Sequence, residues 1–151
     1  MATRGLPAWP WTRESADDLP EPERLLLEAC RLWAAALRDG RSAWLAIRPP
    51  FLAEDAADAI DPFDTLLRQA STLKPLRFGC PLCPRATEDE ATLLMACALT
   101  QRGARREAMA LFLRWLPPGS GAHAAMPTAI HLGAALRTAG LVLQNPLRAT
   151  R

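Results

Sequence analysis

The chain has no tyrosine, one valine (Val142), three isoleucines (Ile47, Ile60 and Ile130) and one lysine (Lys74) in 151 residues. Strands draw on β-branched and aromatic side chains. Their scarcity excludes a β-sandwich, a barrel or a parallel-sheet enzyme. Long apolar runs are missing too, and none approaches the roughly 18 residues that span a bilayer. The opening segment MATRGLPAWPWTRESADD has no apolar stretch of the signal-peptide kind. No Gly-rich phosphate loop, serine nucleophile elbow or HExxH zinc motif occurs. A membrane partner is therefore not expected, and the location expected is the cytoplasm.

What is there is alanine and leucine, 29 and 25 residues, more than a third of the chain. Both are strong helix formers. The fold expected is all-α, a single-domain bundle of about five or six helices with a Pro/Cys-rich central loop. Residues 1–20 read as an irregular arm bearing Trp9 and Trp11, residues 21–140 as the helical domain, and 141–151 as a tail packing through Leu141 and Leu143. The first helix is expected over 22–38, with Leu26, Cys30, Trp33 and Leu37 forming one apolar stripe. A short helix over 42–47 should end at Pro49-Pro50. The next should start with Asp61 as cap and Pro62 at the first position. Thr87 and Glu90 match a capping box opening a helix that runs to Arg102. Gly103 then turns the chain into another helix over 104–116. Residues 119–122 read as a flexible linker, and the last helix should run over 127–139.

Charge is uneven although the net is only +2. Residues 51–73 hold five acids (Glu54, Asp55, Asp58, Asp61, Asp64) against Arg68, and residues 101–151 hold seven arginines against Glu107. The acids of 54–58 lack the Gly and the twelfth-position Glu of a calcium loop and read as a solvated face. Glu88, Asp89 and Glu90 sit in a first helical turn, where capping and the helix dipole account for them. Arg105 and Arg106 after Gly103 would suit DNA phosphates in a helix-turn-helix. Arg102, however, stands where that motif buries an apolar residue, so a plain αα-hairpin is the simpler expectation.

One segment carries chemistry. In KPLRFGCPLCPRA, residues 74–86, Cys80 and Cys83 are spaced so that both thiolates face one ion, with turn N–H groups free to bond the sulfurs. Phe78 to Pro84 resembles one knuckle of a rubredoxin or zinc-ribbon site, with Pro84 where such knuckles carry Gly. That resemblance implies zinc, and less readily an iron–sulfur cluster. A zinc site needs four ligands, and a second CxxC is absent. The residues left to complete it are Cys97, His123 and His131, or Cys80 and Cys83 of a second copy. Cys97 lies about 15 Å along the expected helix, and with Cys30 it reads as a core residue. The same loop precedes a helix start, whose dipole, with Arg85, would lower a thiol pKa and suit a redox dithiol; the pair also reads as ordinary free thiols in a loop. Three functions follow in order. The first is a small accessory or regulatory protein that binds another protein or itself, with a CxxC structural metal site. The second is a thiol redox protein using Cys80 and Cys83. The third, with the least support, is an Arg-mediated nucleic-acid binder. Enzymatic activity is the lesser expectation.

Overall fold

The computed structural model describes residues 15–116 and 120–146. Six α-helices and no strand make up their regular structure: α1 Glu21–Arg38, α2 Ala43–Ala53, α3 Ile60–Leu73, α4 Glu88–Gln101, α5 Arg105–Trp115 and α6 Ser120–Thr138. Short 3-10 turns at Ala16–Asp18 and Ala57–Ala59 lead into α1 and α3. The arm bearing Trp9 and Trp11 lies outside the described residues.

The centre is α4, buried without a break from Asp89 to Gln101. A helix buried on every side needs neighbours all around it. α6, α5 and α1 supply them, while α3 packs on α6 and α2 packs on both α1 and α3. The α4–α6 approach is close: a Cβ on Gly133 would lie 3.1 Å from the Gln101 Cα. Gln101 ends α4 as a buried clasp. Its side-chain Nε2 donates to the Gly133 and Leu141 carbonyls, and its Oε1 accepts from the Leu143 N–H. Leu141 and Leu143 are thereby buried, as expected of the tail.

Several boundaries differ from expectation for identifiable reasons. α2 does not stop at Pro49-Pro50 but carries both inside it. Two backbone bonds are lost, yet Ser42 caps its start through Leu45 N–H, and the turn past the prolines buries Phe51 completely. Phe51 then meets Phe63 of α3 at 5.3 Å between ring centroids. Asp61 does not cap α3, because the preceding 3-10 turn runs directly into it. It accepts the Trp44 indole N–H at 2.7 Å instead. Residues 120–122 are not a linker but the first turn of α6, with Pro127 inside the helix. Gly121 lets that turn press on Leu73, since a Cβ there would lie 2.1 Å from Leu73 Cδ1. Leu37 leaves the expected stripe and is 46% exposed, lying one residue from the end of α1.

Candidate functional site

The cysteine loop is held from beneath by α4 and α1. Thr87 and Glu90 form the capping box: Thr87 Oγ1 accepts from Glu90 N–H at 3.2 Å, and Thr87 N–H donates to Glu90 Oε1 at 2.7 Å. Glu90 does more than cap. It is fully buried and receives Arg31 of α1, with Nε to Oε2 at 2.9 Å and Nη2 to Oε1 at 3.3 Å. It also accepts the Gly79 N–H at 3.2 Å. Arg31, itself buried, gives two further bonds to the loop: Nη1 to the Cys83 carbonyl at 2.7 Å and Nη2 to the Arg85 carbonyl at 3.0 Å. One guanidinium therefore ties together α1, the start of α4 and the cysteine turn. Gly79 makes the fit possible, since a Cβ there would lie 3.2 Å from Cys83 Cβ and 3.3 Å from Arg31 Nη2.

Ordinary loop bonds complete the support. Thr87 Oγ1 donates to the Arg77 carbonyl, Arg77 N–H donates to Asp89, and Ala16 N–H donates to the Pro84 carbonyl. Asp89 also accepts from the Trp115 indole and Lys74. Burial alone would raise its pKa, but these three donors outweigh that and hold the carboxyl below its usual range.

On this base the chain makes a tight turn, with Cys83 N–H donating to the Cys80 carbonyl at 3.0 Å. The two sulfurs lie 2.9 Å apart, and the Cys80 N–H donates to Cys83 Sγ at 3.2 Å. The thiols are not equivalent. Cys80 and Cys83 Sγ share a hydrogen bond that either can donate, and the backbone N–H groups of Leu82 and Cys83 and the Arg31 charge favour a thiolate on Cys80. Together these lower the Cys80 pKa. Cys83, as the partner that keeps its proton, is raised. The cation acting on the pair is Arg31, where the sequence pointed to Arg85. Leu82, between the cysteines, is 91% exposed.

The other candidate ligands lie elsewhere. Cys97 is completely buried in α4, and loss of solvent pushes its thiol up to about 12. Cys30 is buried in α1. Desolvation raises its thiol well above the usual range, with Glu90 and Cys97 adding to the effect. His123 and His131 are exposed on α6, His123 within the helix and not in a flexible segment. Among the described residues, no group of three or more His, Cys, Asp or Glu side chains is placed to hold a metal ion. The α4–α5 pair is a short hairpin with Gly103 at φ +78°, and Arg102, Arg105 and Arg106 are exposed beside it.

No protein family, curated protein or solved structure matches the chain. The site's chemistry therefore stands on its own residues. Sequence reasoning found Cys80, Cys83, Thr87 and Glu90 but missed Arg31. A signal was present: Arg31 follows Leu27 by four residues, on the apolar side of α1, where a charge needs a buried partner.

Proposed function

We propose that the protein acts by thiol–disulfide exchange through Cys80 and Cys83. The observation that carries this is the pair of sulfurs 2.9 Å apart in a surface turn, Cys80 exposed and Cys83 half-buried. Nucleophilic attack needs a thiolate, and the lowered Cys80 supplies it. Cys80 attacks one sulfur of a client disulfide. A Cys80–client bond forms as the client bond breaks, and one client thiolate leaves. Cys83 then gives its proton to solvent and attacks Cys80 Sγ, forming the Cys80–Cys83 disulfide and releasing the second client thiolate. The client gains two electrons and the protein loses two. A small dithiol reductant returns the pair to its starting state. Such a cycle suits a reducing compartment, which agrees with the cytoplasmic location expected from the sequence. Among the described residues no helix is long and apolar enough to cross a membrane.

Trapping tests this. Cys83→Ser should accumulate a mixed disulfide on Cys80 with an oxidised glutathione probe, read by intact mass. Cys80→Ser should react far more slowly. Equal reactivity of the two variants would contradict the assigned roles.

A second reading is favoured by the Cys80 N–H, which donates to Cys83 Sγ at 3.2 Å. Such a bond also suits a thiolate on a metal. A single chain offers two ligands in this turn, so zinc would need the same turn of a second copy, four thiolates in all. The protein would then be a structural or regulatory dimer. Half a zinc per chain after purification without chelator, together with dimeric mass, would select this reading.

A further inference from the structure

Pro81 of the cysteine turn borders a groove of about 830 Å³ between α1 and α2. Resting on the dithiol reading, we infer that this groove docks a basic, cysteine-bearing segment of the client protein and delivers its disulfide to Cys80.

The groove has an apolar lining that includes Leu25, Pro49 and Pro50. The carboxylates of Asp17, Glu21, Glu28 and Glu54 line the same groove. Arg24 also faces it, whereas the other arginine there, Arg31, is committed to Glu90 and the loop carbonyls. Negative charge is therefore in excess along a concave apolar surface. Two of the acids lie side by side in this lining, and the Glu21 carboxyl beside Glu54 holds Glu54 above the usual carboxylate range. A guanidinium or ammonium placed between them relieves that repulsion and takes up both groups. An acidic or purely apolar segment gains nothing there. Continuity with the chemistry comes from the turn, where Pro81 borders the groove and Leu82 stands almost fully exposed between the two thiols. A client lying along the groove would contact Leu82 as its disulfide meets Cys80.

The test uses two peptides, each with one cysteine carried as a glutathione mixed disulfide. One has Arg-Leu-Arg beside the cysteine and the other Glu-Leu-Glu. Glutathione release by the full chain is followed at low salt and at about 0.5 M salt, where the screening length falls to roughly 4 Å. The Arg peptide should react about tenfold faster at low salt, and the preference should shrink at high salt. The double variant Glu21→Gln/Glu54→Gln should cut the Arg-to-Glu rate ratio to below about threefold. Equal rates for the two peptides would overturn the docking inference and leave the dithiol reading standing. If neither peptide reacts, the dithiol reading fails. Titration of a fluorescent Arg peptide with Ser for Cys then decides the groove: salt-sensitive binding weakened in the double variant supports it, and no binding overturns it. A double variant that changes the oligomeric mass but not the rate ratio assigns the groove to a second copy and also overturns the inference.

Discussion

Replacing Glu90 with Ala removes the acceptor for four donor atoms: Arg31 Nε and Nη2 and the N–H groups of Gly79 and Thr87. The guanidinium left behind is almost without solvent, its side chain being 4% exposed. Stranding one partner of a buried ion pair costs about 3–5 kcal/mol, a large part of the roughly 5–15 kcal/mol that keeps a domain folded. In a chain of this size that loss corresponds to roughly 6–20 °C in melting temperature. Urea unfolding followed by tryptophan fluorescence reads it, since Trp33 and Trp115 are buried. Glu90→Gln keeps the shape and still strands the charge, so it should lose most of the same stability. The double variant Arg31→Met/Glu90→Leu removes both charges and should recover much of it. It would nevertheless leave the Cys83 and Arg85 carbonyls without Arg31, so the turn should show faster amide exchange than in the native chain. A Glu90→Ala loss below about 1 kcal/mol would refute the idea that this pair anchors the cysteine turn.

Other consequences are open to direct measurement. In the folded chain only Cys80 and Cys83 should react promptly with an aromatic disulfide reagent, with Cys30 and Cys97 appearing only on denaturation; four fast thiols would contradict their burial. Asp89 has a folded pKa below its unfolded value, so its contribution to stability is present above about pH 4 and is lost as pH falls through the lower folded value. Asp89→Asn should therefore flatten the acid limb of the stability–pH curve, and an unchanged limb would contradict the assignment. Gly133→Ala should be destabilising by about 1–3 kcal/mol because the Gln101 backbone blocks the new methyl. Gly121→Ala should cost much less, because Leu73 can swing aside and helix propensity gains about 1 kcal/mol; the reverse order in thermal unfolding would count against the packing described.

Local rules carried much of the fold. Gly40, Gly103 and Gly140 have positive φ at or next to helix ends, as their positions after helical patterns led one to expect. The Thr87–Glu90 box formed as its spacing required. Rules about proline failed where tertiary packing outweighed them: Phe51 draws α2 past Pro49-Pro50, and burial of Ala122, Ala125 and Met126 brings residues 120–126 into α6 ahead of Pro127. The acids were harder to read. Asp61 reads as a cap, and Asp64 and Asp89 as acids suited to a helix dipole, yet each accepts a tryptophan indole N–H, from Trp44, Trp33 and Trp115 respectively. Such pairings join residues 17 to 31 positions apart, and no local pattern encodes them. The candidate site divides in the same way. Cys80 and Cys83 were visible as a spacing, but the buried Arg31–Glu90 pair beneath them spans 59 positions and emerges only on folding.

Cys80 and Cys83 are proposed to interconvert as a dithiol and a disulfide. The most direct test equilibrates the full chain in buffers of graded reduced-to-oxidised dithiothreitol ratio, quenches with an alkylating agent, and reads peptide 80–83 by mass. One two-electron transition confined to that peptide, with Cys30 and Cys97 reduced throughout, is the predicted result. A pair that stays reduced across the whole range, or one shielded from alkylation by tightly held zinc, would contradict it.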